Sequence, residues 1–236
     1  MPELLGSDYA RLDPELRKAF EVALHAGTAL ALTIVLRAEV VEFVRALDRR
    51  RLAGVALAFL PPALAAFACE RPIERRLGSA HSVALAQVVA GMALALADRR
   101  PARRTHAQAG VLDHLAIGAG QAAALVPGVS RNGATLTALR LLGFQHGAAN
   151  RLSRHAALPI IVAASGLKVR RLAARGLPGG LALALGVGLA SAFASTLVFS
   201  RLIGWMDAVR SYAPFAAYRV GLGVLALRHL RGRGGA

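Results

Sequence analysis

The feature that most limits what this chain can fold into is the repeated alternation of apolar blocks with clusters of arginine. Val22 to Leu36, Leu52 to Ala68, Ala80 to Ala97, Leu115 to Val126, Ala156 to Leu167, Leu181 to Ser200 and Ala213 to Leu227 are uncharged or nearly so. Between them stand Arg49-Arg50-Arg51, Arg75-Arg76, Arg99-Arg100 with Arg103-Arg104, and Arg170-Arg171. Hydrophobic residues make up 56% of the chain and charged residues 18%, so the two classes are sorted into separate stretches. Several blocks approach the roughly 20 residues that span hydrocarbon, and the shorter ones suit tilted, re-entrant or shielded segments. Helix is the expected spanning element, because backbone groups in lipid must be satisfied within each segment and the alternation of a barrel strand is absent. The pattern predicts an all-α, polytopic integral membrane bundle with a re-entrant or broken helix segment. It is expected to form one membrane domain over residues 1–236, with Met1 to Lys18 as a polar N-terminal segment.

The 29 Lys+Arg against 13 Asp+Glu give a net charge of +16. A charge of that size first suggests a soluble nucleic-acid binder, and the hydropathy argues against it. Only Lys18 and Lys168 are lysines, and aromatic residues, at 5%, are too few for the stacking platforms that single strands need. No nucleic-acid partner is therefore expected, and the basic residues are read as loops flanking the membrane. Intrinsic disorder is excluded by the apolar content, and a disulfide scaffold by the lone Cys69. No cleavable signal peptide is visible in Met1 to Lys18. Consecutive loops are all rich in Arg, so the positive-inside rule does not set an orientation. Gly186, Gly188, Gly221 and Gly223 are small residues expected to permit close helix packing.

The stretch that carries chemistry runs from Ala116 to Thr137. Pro127 and Gly128 should stop one apolar helix, and Gly133-Ala134 should let a second begin. An Arg at such a break is expensive in lipid and should face a partner or a water-filled cavity. Backbone N–H groups opening the second helix, the Ser130 and Thr135 hydroxyls and the forked guanidinium of Arg131 together suit a phosphate. The plainer reading makes Arg131 the mark of a surface loop, with Ser130 and Thr135 capping the next helix. Physics favours an anion pocket and leaves transport, binding and hydrolysis open.

Pro127-Gly-Val-Ser-Arg131-Asn-Gly-Ala-Thr135 resembles the Pro-Gly-x-Ser-Arg-Ser-Gly-x-Thr signature of the bacterial undecaprenyl-diphosphate phosphatases of the bacitracin-resistance type. Gln121 fits the approach to that signature. Phe20-Glu-Val-Ala-Leu-His25-Ala-Gly27-Thr28 is similar to the family's Phe-Asp-Val-Ala-Leu-His-Leu-Gly-Thr, Ser153 to Pro159 to its Ser-Phe-Leu-Leu-x-Ile-Pro, and Pro214-Phe215-Ala-Ala-Tyr218-Arg219 to its Pro-Phe-x-x-Tyr-Arg. The four matches occur in the family's order and extend over most of the chain. The resemblance implies a multi-pass enzyme of the bacterial plasma membrane. It would remove one phosphate from a polyprenyl diphosphate lipid and so recycle the cell-wall lipid carrier. Arg131 and Ser130 would then be catalytic, with Gly128, Ser130, Arg131, Asn132, Thr135 and Gln121 binding substrate. The family's use of divalent cations implies Mg2+ or Ca2+, although this sequence offers no convincing metal ligands. A homodimer is the assembly option considered.

The family also carries a Glu-x-x-x-Glu and a Ser-Ser-x-Gly-His element on a first re-entrant hairpin, and the sequence as given shows neither. The expectation is a coding sequence that begins upstream of Met1; the alternative is an inactive or repurposed homologue. Glu21 and His25, at i,i+4 spacing on one helix face, are the candidate acid and base, against the plainer reading of an entrance carboxylate and a packed polar residue. Asp113 is expected as a helix N-cap, with His114 at the interface. His81, His106, His146 and His229 are assigned no chemistry. Asn132 replaces the Ser of the signature and keeps a donor and an acceptor. Arg154-His155 implies either a helix that begins late or a pair facing a polar cavity. Pro61-Pro62 and Pro159 are expected to kink or start helices, and Arg219 to anchor at the interface. The leading function is diphosphate hydrolysis. The alternatives are a non-hydrolytic membrane protein that binds or moves a lipid phosphate or other anion, and an inactive remnant.

Overall fold

A computed structural model describes residues 14–175, 182–201, 208 and 210–233. Among these residues every regular element is helical, as the blocks predicted. Chain contacts divide the protein into two compact units: Met1–Ala46 with Leu158–Gly204, and Leu47–Ala157 with Trp205–Ala236.

In the first unit, α1 (Pro14–Val35) is followed by the short α2 (Arg37–Arg45). A later helix, α8 (Ala182–Phe199), packs along α1. Ala19, Ala23 and Leu185 form the contact core, with Phe20 and Leu189 against it. Glycines set how closely the two helices approach. A side chain at Gly27 would collide with the Leu189 carbonyl, and one at Gly188 would come within 3.0 Å of the Phe20 ring. Gly186, by contrast, has nothing within 4 Å of an added side chain.

The second unit contains α3 (Arg49–Leu77), α4 (Ala80–Asp98), a 3-10 turn (His106–Gln108), α5 (Val111–Ala123) and α6 (Arg131–Leu141). It also holds the start of α7 (His146–Arg175) and α9 (Ala213–Arg233). Local chemistry fixes where α3 and α4 begin: the Asp48 carboxylate accepts the Arg51 N–H at 2.7 Å, and the Ser79 hydroxyl accepts the Ser82 N–H at 3.1 Å. Helix α3 packs on α5, α4 on α9 and on α6, and α5 on α6. Gly91 of α4 lies against Ala216 and Val220, while Gly223 of α9 lies against Ala84 and Val88. Each helix of that pair thus supplies a glycine to the crossing, and Gly221 contributes nothing to it.

Pro61 and Pro62 were expected to kink or start a helix, and α3 runs through both, as well as through Pro72. A proline at i removes the N–H that would bond the carbonyl at i−4. The Leu57 and Ala58 carbonyls therefore lose their helical donors, and α5 answers at this spot. Gln121 Nε2 donates to the Ala58 carbonyl at 3.1 Å. Gly118 brings bare backbone to the Leu57 carbonyl and the Pro61 ring, where a Cβ would come within 2.9 Å and 2.7 Å. Likewise α7 does not start at Pro159, and it begins at His146, so the option of a late start before Arg154-His155 does not hold.

Among the described residues two helices, Arg49–Cys69 and Ala80–Asp98, are long and apolar enough to cross a membrane, with mean hydropathy 2.0 and 1.7. Their large side chains point outward: Phe59, Leu60, Leu64 and Phe67 on α3, and Leu85, Val89, Met92 and Leu96 on α4 are exposed. Phe67 is 96% exposed. An apolar exterior on this scale suits hydrocarbon surroundings and is costly in water.

Candidate functional site

The predicted break in the apolar segment is present, and its two arms form a helical hairpin. Helix α5 has 13 residues and α6 has 11. At about 1.5 Å per residue, neither arm reaches across the roughly 30 Å of a hydrocarbon core. Between them Pro127 and Gly128 turn the chain. Gly128 has φ +97°, and a side chain there would run into the Val83 carbonyl of α4. Only glycine combines that backbone angle with that approach. Gly120 lets the arms close on each other, since a Cβ there would be 3.0 Å from the Ala134 carbonyl.

The second arm opens two residues before the expected Gly133-Ala134. Ser130 is its N-cap, and the Ser130 hydroxyl accepts the Gly133 N–H at 3.2 Å. That is the capping role of the plainer reading, and it leaves the hydroxyl hydrogen available to an acceptor. Thr135 differs from expectation. It is buried, and its hydroxyl donates back to the Arg131 carbonyl at 2.8 Å, so within the hairpin it serves the helix backbone.

Beside the cap lies a cavity of about 210 Å³. Its lining combines the polar side chains of Ser130, Asn132 and Arg219 with Gly133, the apolar Leu94, Leu136 and Phe215, and the rings of Tyr212 and Tyr218. Asn132 is held in place because its Oδ1 accepts the hydroxyl of buried Ser153 at 2.8 Å. That bond explains how the matched Ser153 segment bears on the signature. Arg219, expected as an interfacial anchor, instead reaches back across the unit and donates to the Gly128 carbonyl at 2.6 Å. Arg131 does not line the cavity. It is exposed, stands in the chain between Ser130 and Asn132, and its guanidinium has no hydrogen-bond or ion-pair partner among the described residues.

A buried polar cluster at the end of α4 fixes the cavity's aromatic wall. The Asp98 carboxylate accepts the Tyr212 N–H at 2.7 Å, the Ser211 hydroxyl at 2.8 Å and His146 Nε2 at 2.7 Å, and it pairs with Arg140 Nε at 3.3 Å. Arg140, 3% exposed, also donates to the carbonyls of Phe144, Asp98 and Arg100. The fully buried Tyr212 places its hydroxyl 2.8 Å from Asn150 Oδ1 and its ring edge-on to His146. Neither Asp98, Arg140 nor Tyr212 was singled out from the sequence, and His146 had been assigned no role. No local pattern marks them, since their partners lie far away along the chain.

Gln121, expected at the substrate, is 4% exposed, occupied by the Ala58 carbonyl and not part of the cavity wall. Asp113 is not the N-cap of α5; Gly110 is. From the third helical position Asp113 accepts the Gly110 N–H at 2.8 Å and a forked pair of bonds from Arg104 at 2.6 and 2.8 Å. Burial alone would raise this carboxyl, but the bonds from Arg104 and Gly110 outweigh it and hold the group below its ordinary value. Of the candidate acid and base, His25 is exposed on α1 of the first unit. Glu21 lies in the same helix, and its side chain falls outside the described residues.

Among the described residues the groups lining the cavity are hydroxyl, amide and guanidinium with no carboxylate, a set that suits an anion and does not fit a divalent cation. Among the described residues no group of three His, Cys, Asp or Glu could hold a metal ion.

Long helices with outward apolar faces, together with a broken helix too short to cross, define a helical membrane protein with a built turn in its second unit. Residues 1–225 match the family described as bacitracin resistance protein BacA. An undecaprenyl-diphosphatase of Anaeromyxobacter sp. is 40% identical, covering 94% of this chain and 76% of its own length. Those of Trichlorobacter lovleyi and Geobacter sulfurreducens are 36% and 34% identical, covering 96% and 93% of this chain and 87% of their own lengths. The chain belongs to the bacitracin resistance protein BacA family.

Proposed function

We propose that this protein is a membrane phosphatase that hydrolyses undecaprenyl diphosphate to undecaprenyl phosphate and inorganic phosphate. It does so in the cell membrane, which it crosses several times, and so returns the lipid carrier to cell-wall synthesis. The observation that carries the reading is the signature turn, with its N-cap, anchored amide and free guanidinium, in a chain whose relatives bear that activity by name.

Water attacks the terminal phosphorus, the bridging P–O bond breaks, and undecaprenyl phosphate leaves. The chain's part is positioning and charge stabilisation, which dominate phosphoryl transfer. The Ser130 hydroxyl and the first N–H groups of α6 point donors at phosphate oxygens. Arg131 supplies a forked cation able to close on the head group. Asn132 donates through its amide nitrogen, because its oxygen is occupied by Ser153. Glu21 and His25 stay the candidates within this sequence for proton transfer.

The test is phosphate release from the C55 diphosphate by purified protein in detergent, wild type against Arg131→Ala. Loss of one charge-stabilising donor is expected to lower the rate about 10²- to 10³-fold. Tight binding of the lipid by wild type without any phosphate release would overturn hydrolysis in favour of a carrier.

A further inference from the structure

Arg219 has an unusual combination of surroundings. It is half-buried, it lines the cavity, and it is the one charged residue among the lining residues. Among the described residues no carboxylate pairs with it. Its side-chain bond runs to the neutral Gly128 carbonyl at 2.6 Å. A guanidinium carries five N–H donors in a rigid fork, so one bond to a carbonyl leaves most of them unspent. A cation withdrawn from water is costly unless an opposite charge meets it. The cavity's other polar side chains, Ser130 and Asn132, add a hydroxyl and an amide nitrogen, both able to donate to the same kind of ligand. Leu94, Leu136 and Phe215 line the same cavity. Such a cavity is complementary to an anion carried on an apolar stem.

We infer that Arg219 is a substrate-binding residue: its guanidinium, oriented by the Gly128 carbonyl, takes an oxygen of the diphosphate within the cavity, while Arg131 closes on the head group from outside it. This rests on the proposed function for the identity of the lipid, and on the cavity alone for the diphosphate. Two cations from distant parts of the chain would then share the charge of one diphosphate. The same bond that orients Arg219 also holds the carbonyl of the positive-φ glycine, so ligand grip and turn geometry are joined in a single side chain.

Calorimetric titration of inorganic pyrophosphate into the full-length protein in detergent tests this independently of turnover. Arg219→Gln should bind pyrophosphate about 10- to 100-fold more weakly than wild type, at a melting temperature close to wild type, and Arg219→Lys should fall between them. Unchanged affinity in Arg219→Gln would overturn the contact. So would a loss that is equal in both variants and follows their melting temperatures, which would make Arg219 a clamp on the turn alone. Where Arg219→Gln fails to fold, Arg219→Lys decides, and unchanged affinity there overturns the proposal. Phosphate release from the C55 diphosphate is followed on the same preparations. Wild type that releases phosphate while Arg219→Gln keeps its pyrophosphate affinity sinks this inference and leaves the function standing. Wild type that binds pyrophosphate through Arg219 without hydrolysis does the reverse.

Discussion

Gln121 shows how one side chain can look like a ligand and serve the backbone. The sequence places it just ahead of a phosphate-like signature, and the structure spends its amide on the carbonyl that Pro62 leaves without a donor. Gln121→Leu should therefore destabilise the protein by about 1–3 kcal/mol, the cost of a buried carbonyl left unsatisfied. The readout is a fall in melting temperature; a pure substrate contact would instead raise KM and leave melting in place. Half of this role was legible, because a proline at 62 necessarily frees the carbonyl at 58. The other half was not, since nothing local says that a glutamine on another helix will meet it. Ser130 lies at the opposite extreme: a serine directly after a Pro-Gly turn, ahead of a helical run, reads as a cap, and it is one. Arg219 repeats the lesson of Gln121, because its partner Gly128 is invisible to any short-range pattern.

At the level of elements, blocks, breaks and close contacts were largely readable, and the polar fastenings between helices were not. The break at Pro127-Gly128 follows from backbone chemistry, and half of the flagged glycines sit at real crossings. The cluster at the end of α4 needed coordinates, because it gathers Asp98, Arg140, His146 and Tyr212 from separate segments. Arg140→Met should cost about 3–5 kcal/mol, since it removes the guanidinium paired with the Asp98 carboxylate and the donors to three carbonyls at once, and thermal unfolding in detergent measures it. Where α5 begins, Asp113 carries a pH dependence of defined sign. Its folded pKa lies below the ordinary 3.8, so its stabilisation is complete above that value and is lost as pH falls through the folded one. Melting temperature should fall as the pH is taken below the ordinary 3.8, and Asp113→Asn should flatten that part of the curve.

For the whole molecule, the exposed faces of α3 and α4 make the surroundings part of the structure. The protein should stay with the membrane fraction through an alkaline carbonate wash and come free only with detergent; recovery in the aqueous supernatant would contradict the fold as read here. Apolar sorting along the chain announced this much, because it is a property of the blocks and not of where each helix ends. The link between Arg219 and the Gly128 carbonyl has a consequence in time as well as in space. The turn at 128 is synthesised 91 residues before Arg219. The site's final geometry is therefore set only once Arg219 has been translated, and a premature stop ahead of codon 219 would yield a nascent chain inserted in lipid with its phosphate turn unlatched.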